Sequence, residues 1–125
     1  RWFDEERTMV VVEAAGRVVA FASAFGYRPR ACYSGVREFS VYVSREARGR
    51  GLGRIALEAL IEASRSRGDW KLLSRVFPEN KPSLKLLASL GFREVGTYRR
   101  HAMLDGIWRD VVIVEKLIDG GGGDA

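Results

Sequence analysis

The chain has 125 residues, 46% of them hydrophobic and 30% charged, and its formal net charge is +5 at pH 7. This composition is typical of a soluble protein with one globular domain, and no apolar stretch approaches the roughly 18 residues that a transmembrane helix needs. The single cysteine, Cys32, excludes an internal disulfide and favours a reducing cytoplasm. The sequence has no zinc-ligand spacing and no nucleic-acid-binding motif, so we expect no metal, nucleic acid or membrane as partner.

The first patterned region is a predicted β-hairpin. Strand-like residues 9–13 and 17–25 flank Ala14-Ala15-Gly16, a composition typical of a tight turn. Residues 26–35 are predicted to form a loop, whose tyrosines either line a pocket or cover the edge of the sheet.

A strand, a glycine-rich loop and a helix follow. Phe39, Val41 and Val43 alternate with polar or amphipathic residues, which is the period of a strand. Three glycines then interrupt the pattern, and from Leu52 the apolar residues take helical spacing as far as the capping residue Gly68. The predicted buried stripe of this helix comprises Leu52, Ile55, Ala56, Ala59, Leu60 and Ala63.

The start of this helix is suited to an anion. The first turn of a helix leaves backbone N–H groups unpaired, and glycines let a phosphate approach the backbone closely. Arg48, Arg50 and Arg54 add positive charge. The glycine spacing excludes a Walker A loop and a Rossmann fingerprint. We interpret the loop as a pyrophosphate site; the alternative is a solvated strand-to-helix turn.

The second half of the chain predicts a strand, a short helix and two further strands. Residues 70–77 should form a strand beside the one that ends at Val43, because a crossover through a helix returns the chain parallel. Asn80 is predicted to cap a helix whose buried stripe is Leu84, Leu87 and Ala88. Strands at 92–98 and 107–117 are predicted to be linked through His101 and residues 104–106, and residues 119–125 to form a flexible tail.

Two of these motifs resemble a known family. The run Arg48-Gly49-Arg50-Gly51-Leu52-Gly53 resembles the Gln/Arg-x-x-Gly-x-Gly/Ala signature of the GNAT superfamily of N-acetyltransferases, and residues 80–92, which end in Gly-Phe, are similar to a later element of that superfamily. Residues 36–43, VREFSVYV, further resemble its phosphinothricin-acetyltransferase-like branch. The similarity extends from about residue 9 to 118.

The resemblance implies an α/β fold with a mixed, twisted central β-sheet flanked by helices, in a single domain over residues 1–118. Members of the superfamily begin with a strand and two helices before the hairpin. We therefore expect either a shortened member or a piece that lacks its natural beginning.

The resemblance also implies acetyl-CoA as cosubstrate. Backbone groups of the strand would hold its pantetheine arm, the glycine loop its pyrophosphate, and the capping asparagine would add a side-chain hydrogen bond. The implied cofactor-binding residues are Val41, Tyr42, Val43, Arg48, Gly49, Arg50, Gly51, Leu52, Gly53, Arg54, Asn80 and Ser83.

Catalysis would need a general base, because about one lysine-like amine in a thousand or fewer is neutral at pH 7. Glu38 matches the position proposed as the base in this branch; the alternative is a structural ion pair with Arg37 or another arginine. Many relatives place a proton donor where this chain has Leu87, so Tyr98 and His101 are candidate substitutes for protonating the thiolate.

These features together predict an N-acetyltransferase that transfers an acetyl group directly, in a ternary complex, to the primary amine of a small molecule or amino acid analogue. The alternatives are a protein N-terminal or lysine acetyltransferase, and a non-catalytic CoA-binding module. An exposed final strand would be compatible with a homodimer.

Overall fold

The structure is a computed structural model that describes residues 8–26, 35–44, 48–49 and 51–118. Residues 1–7 lie outside these ranges, and so do the predictions for the loop that contains Cys32, for Arg50 and for the tail at 119–125. The described residues form two compact units. The first reaches as far as Leu72 and includes Leu117 and Ile118, and the second is Leu73–Lys116.

Six strands and two helices make up the fold: β1 (Thr8–Ala14), β2 (Arg17–Gly26), β3 (Val36–Val43), α1 (Leu52–Arg67), β4 (Lys71–Val76), α2 (Lys81–Ser89), β5 (Arg93–Leu104) and β6 (Ile107–Leu117). The strands lie in the order β1-β2-β3-β4-β6-β5. The predicted α/β class with a mixed sheet is confirmed, and so is the position of β4 next to β3.

In the first unit, β1 and β2 form the predicted antiparallel hairpin, with Met9 opposite Ser23 and Ala14 opposite Arg17. The two turn residues, Ala15 and Gly16, have φ angles of 55° and 79°. Two consecutive positive φ angles are typical of a type I′ turn, whose twist matches that of the flanking strands.

Helix α1 packs across β2, β1 and β3. Three alanines of β2 that share one side of the sheet are fully buried, namely Ala20, Ala22 and Ala24. The predicted stripe of α1 is partly wrong, because Ile55 is 51% exposed and Ala59 is also exposed, whereas Leu57 and Ile61 are buried. Both stripes have helical spacing, but Leu57 and Ile61 remove more apolar surface from water than Ile55 and Ala59 would, and the helix turns that side inwards.

The end of α1 follows the prediction. Gly68 has a φ angle of 91°, and its N–H donates to the carbonyl oxygen of Arg65, while the N–H of Asp69 donates to that of Ser64. This pair of hydrogen bonds is a Schellman motif, in which glycine supplies the left-handed residue.

In the second unit, Asn80 caps α2 as predicted, but the buried stripe of this helix is narrower than expected. Leu87 is buried, Leu84 is half-buried and Ala88 is exposed. The helix has only nine residues, so one position near its C-terminal half carries most of the burial.

The hairpin of β5 and β6 differs from the prediction at His101, which lies within β5 and not in a link between strands. The pairing of the two strands shifts between Tyr98 and Ala102, and Arg100 there has a φ angle of 51°. The N–H of Arg100 donates to Oδ1 of Asp110 at 3.0 Å. A β-bulge therefore absorbs the residues that the sequence pattern assigned to a loop.

Candidate functional site

The strand of the predicted site is β3, which pairs with β2 in antiparallel register. Val41 lies opposite Ala22, Tyr42 opposite Phe21 and Val43 opposite Ala20. The N–H of Ser44 then donates to the carbonyl oxygen of Val19 at 2.8 Å, so β3 is held to β2 up to the start of the glycine loop.

The loop between β3 and α1 is described at Arg48, Gly49 and Gly51. Gly49 and Gly51 have φ angles of 83° and 76°, which L side chains rarely adopt. Nε of Arg48 donates to the carbonyl oxygen of Val43 at 3.3 Å, which ties the loop to the end of the strand. These two glycines are thus required by the backbone conformation.

The N-terminus of α1 has no side-chain cap. Its capping residue is Gly51, which offers no side chain to the first N–H groups, and no acidic residue lies in the first turn. Among the described residues, and apart from each glycine's chain neighbours, no heavy atom lies within 4 Å of the position that a Cβ would take on Gly49 or Gly51. A helix start without a side-chain cap, with the positive end of the helix dipole, is suited to an anion such as a diphosphate.

The remaining residues of the first turn are Leu52, Gly53 and Arg54, all half-buried. Nη1 of Arg54 lies 3.5 Å from Oε2 of Glu58, an exposed i,i+4 pair of small energetic value. Glu62 and Arg65 form a second ion pair on the same helix, three residues apart. The positive charge of Arg54 is therefore partly balanced within the helix.

Glu38 lies on β3 opposite Phe25 of β2 and is half-buried. Because side chains alternate along a strand, Glu38 shares one side of the sheet with Ser40 and Tyr42, whereas Arg37 points to the other side. On the side of Glu38, the rings of Tyr42 and Phe21 stack with centroids 5.5 Å apart. The predicted base is thus presented on the face that carries this aromatic pair.

In the second unit, Oδ1 of Asn80 accepts a hydrogen bond from the N–H of Ser83 at 3.3 Å, which confirms the cap. The cap uses only the carbonyl oxygen of the amide, so the NH2 group is a donor that the cap does not need.

Leu87 is 5% exposed and has no proton to donate. The ring of Tyr98 lies 4.6 Å from that of His101, so the two candidate donors are neighbours.

Two buried charges were not predicted from the sequence. Arg37 is completely buried, and Asp69 is 3% exposed. Burial raises the pKa of the Asp69 carboxyl, and the charges of Arg37 and then Arg67 act against this rise. The sequence did indicate that Arg37 would be buried. Alternate residues of a strand share one side of the sheet, and Arg37 shares its side with Phe39 and Val41.

Within residues 8–26, 35–44, 48–49 and 51–118, no three His, Cys, Asp or Glu side chains group as metal ligands would, and no helix is both long and apolar enough to cross a bilayer.

Sequence comparison places this geometry in a family. Residues 1–92 match the model of the acetyltransferase (GNAT) family. The chain is 33% identical over 123 residues to the L-methionine sulfoximine/L-methionine sulfone acetyltransferase of Pseudomonas aeruginosa, which covers 94% of this chain and 72% of that protein. It is 35% identical over 114 residues to the phosphinothricin N-acetyltransferase of Alcaligenes faecalis, covering 90% of this chain and 57% of that protein.

Solved structures agree. A ribosomal-protein-alanine N-acetyltransferase from Brucella melitensis superposes with a TM-score of 0.85 at 36% identity, over 88% of this chain and 68% of that one. A GNAT superfamily phosphinothricin acetyltransferase from Sinorhizobium meliloti, in complex with acetyl-CoA, superposes with a TM-score of 0.86 at 27% identity, over 94% of this chain and 64% of that one. The glycine-capped helix start, the family match and these relatives lead to one conclusion: the chain belongs to the GNAT family of N-acetyltransferases, which use acetyl-CoA as cosubstrate.

Proposed function

We propose that this protein transfers the acetyl group of acetyl-CoA to the primary amine of a small amino acid analogue, by direct attack in a ternary complex. The observation that carries the proposal is the uncapped N-terminus of α1 behind two left-handed glycines. The printed names of the relatives from Pseudomonas and Alcaligenes supply the class of acceptor.

The backbone of the glycine loop would hold the pyrophosphate of acetyl-CoA. N–H groups from Gly49 to Arg54 donate to it, and the arginines of the loop balance its charge. Backbone groups of Val41, Tyr42 and Val43 would hold the pantetheine arm, and one of their N–H groups stabilises the oxyanion that forms at the thioester carbonyl. For Asn80 and Ser83 we propose hydrogen bonds to the same cosubstrate.

Glu38 is proposed as the general base. An amine attacks only when neutral, and a carboxylate that accepts the ammonium proton contributes typically about 10²- to 10⁴-fold to the rate. After attack, the tetrahedral intermediate collapses and CoA leaves as a thiolate. A thiol with a pKa of about 8.5 is a tolerable leaving group, so a proton from Tyr98 assists the step without being essential.

A second candidate acceptor is a protein N-terminus, because the Brucella enzyme that superposes on this chain acts, by its name, on a ribosomal protein alanine. We rank it below a small amine because the curated relatives at similar identity are named for amino acid analogues.

The test is CoA release with a panel of acceptors: methionine sulfone, methionine sulfoximine, phosphinothricin, a peptide with an N-terminal alanine and a lysine peptide. We expect turnover with one or more amino acid analogues, and a fall in kcat when Glu38 is replaced by Gln. Turnover with the peptides alone would overturn the proposed acceptor class. Binding of acetyl-CoA without turnover on any acceptor would leave a binding module.

We further propose that residues 1–118 act as one catalytic domain, in the cytoplasm and as a homodimer. The single cysteine supports the cytoplasm. The final strand, β6, was expected to be exposed, but it lies between β4 and β5 and its middle is buried. The homodimer is supported instead by β5, which lies at the edge of the sheet with its residues largely exposed. Light scattering of the purified protein distinguishes a dimer from a monomer.

A further inference from the structure

A buried arginine lies directly before the proposed base. Arg37 on β3 is fully buried, and its Nη2 donates to the carbonyl oxygen of Ala24 on β2 at 2.9 Å and to the hydroxyl of Thr8 on β1 at 3.2 Å. One guanidinium group therefore joins the three neighbouring strands β1, β2 and β3. It does so near the start of β3, where Glu38 lies.

A buried carboxylate supplies an opposite charge. Asp69 follows α1, its N–H is fixed to the carbonyl oxygen of Ser64 at 3.0 Å, and its Oδ2 lies 3.4 Å from Nε of Arg67. The charge of Arg37 is the largest of the effects that favour the ionised form of this carboxyl against the cost of burial. The segment between α1 and β4 is thus linked electrostatically to Arg37.

The backbone just before Arg37 is held as well. The carbonyl oxygen of Gly35 accepts hydrogen bonds from the N–H groups of Trp70 and Lys71, at 2.8 Å and 3.1 Å. A Cβ on Gly35 would overlap the indole of Trp70. The start of β3 is therefore fixed through both its main chain and the Arg37 side chain.

We propose that Arg37 is a positioning residue for Glu38, a role that rests on the proposed function of Glu38 as the base. A buried charge is a poor way to gain stability, since an apolar side chain of similar volume often serves as well. Hydrogen bonds from a guanidinium are directional, so each one fixes the position of its acceptor relative to the arginine. Adjacent residues of a strand move together, and a misplacement of about 1 Å can cost about 10²-fold in rate.

The experiment is a double-mutant cycle between Arg37→Met and Glu38→Gln, measured as kcat and as KM for acetyl-CoA. Arg37→Met keeps the length of the side chain and removes its donors. We expect kcat to fall at least about tenfold with KM for acetyl-CoA changed less than about twofold, and Arg37→Lys to recover part of the loss. Arg17→Met, an exposed arginine at the start of β2, is the matched control and should leave kcat unchanged.

The cycle separates positioning from a general loss of structure. In the Glu38→Gln background, Arg37→Met should lower kcat by less than about twofold, because there is no base left to position. An equal fall in both backgrounds, or wild-type kcat in Arg37→Met, would overturn the role of Arg37. If Arg37→Met does not fold, as judged by circular dichroism, the same cycle with Arg37→Lys decides by the same criterion. Wild-type kcat in Glu38→Gln would instead remove the base assignment, and with it this inference, while leaving the transferase activity itself in place.

Discussion

The two helices of this protein begin in opposite ways. Helix α2 is capped by the side chain of Asn80, which accepts a hydrogen bond from Ser83, and Pro82 occupies its first turn. Helix α1 begins at Gly51, which has no side chain to offer, behind a loop with two left-handed glycines. A side-chain cap satisfies a helix internally, whereas an uncapped start leaves its donors for another molecule. If the diphosphate binds as proposed, α1 lacks the local stability of a side-chain cap at the place where it binds its ligand.

The largest effect on acetyl-CoA binding is expected from Gly51→Val. A β-branched residue is strained at a φ angle of 76°, and its side chain would occupy the space proposed for the diphosphate. Loss of one or two charge-assisted hydrogen bonds should weaken acetyl-CoA binding about 10- to 100-fold, measured by calorimetry.

The matched control for Gly51→Val is Gly16→Val in the β1–β2 turn. Gly16 has a φ angle of 79° and equally open surroundings, so the strain should be similar. It should lower the free energy of unfolding and leave acetyl-CoA affinity unchanged. Equal affinities in the two variants would contradict the assignment of the α1 start as the diphosphate site.

Glu38→Gln keeps the shape of the side chain and removes the base. We expect kcat to fall by about 10²-fold at neutral pH while the affinity for acetyl-CoA is retained. The deficit should shrink as pH rises, because more of the acceptor amine is then already neutral. Glu13→Gln, an exposed carboxylate on β1, is the control. A deficit that does not depend on pH would argue against proton abstraction by Glu38.

Substitutions of Asn80 test whether the cap of α2 also serves a ligand. Asn80→Ala should lower the free energy of unfolding by about 1 kcal/mol. Asn80→Asp keeps an oxygen for the N–H of Ser83 but lacks the NH2 donor, so it should retain stability and weaken acetyl-CoA binding a few-fold. Chemical denaturation and calorimetry give both quantities. Unchanged affinity in both variants would leave Asn80 as a cap alone.

The smallest effect concerns the buried Asp69. Because burial raises its pKa, the folded state holds this proton more tightly than the unfolded chain between the ordinary and the raised value. The stability from this group therefore falls as pH rises through that interval. Asp69→Asn cannot take up the proton, so wild type should gain stability relative to this variant as pH is lowered from neutral. Urea denaturation at several pH values measures the difference, with Asp105→Asn in an exposed turn as control. A difference that is constant with pH would contradict the raised pKa.

The features predicted correctly depend on residues close together in sequence. The cap at Asn80, the Schellman motif at Gly68 and the hairpin at Ala15-Gly16 each follow from turn and cap chemistry within a few residues. The left-handed glycines at 49 and 51 follow from the same local chemistry, while the role of their loop as a diphosphate site stays a prediction.

The features missed depend on distant residues. His101 lies within β5 because a bulge at Arg100 keeps the strand continuous. The N–H of Arg100 donates to the side chain of Asp110, ten residues further along the chain. The side of α1 that faces the sheet depends on how much apolar surface each side of the helix can bury. Leu57 and Ile61 bury more than Ile55 and Ala59 would. Arg37 was considered only as a possible ion-pair partner of Glu38, and its burial was not predicted, since arginines are rarely fully buried unless paired. Its burial is sustained by Thr8, Ala24 and Asp69, which lie on other elements.

The alanine row of β2 has a consequence for the proposed diphosphate site. Ala20, Ala22 and Ala24 present only methyl groups to the interior, so they limit how closely α1 can approach the sheet. The distance between α1 and the sheet in turn sets how far the first-turn N–H groups of α1 lie from β3. Larger or smaller side chains at these three positions would therefore change the depth of the proposed site without altering any residue that forms it.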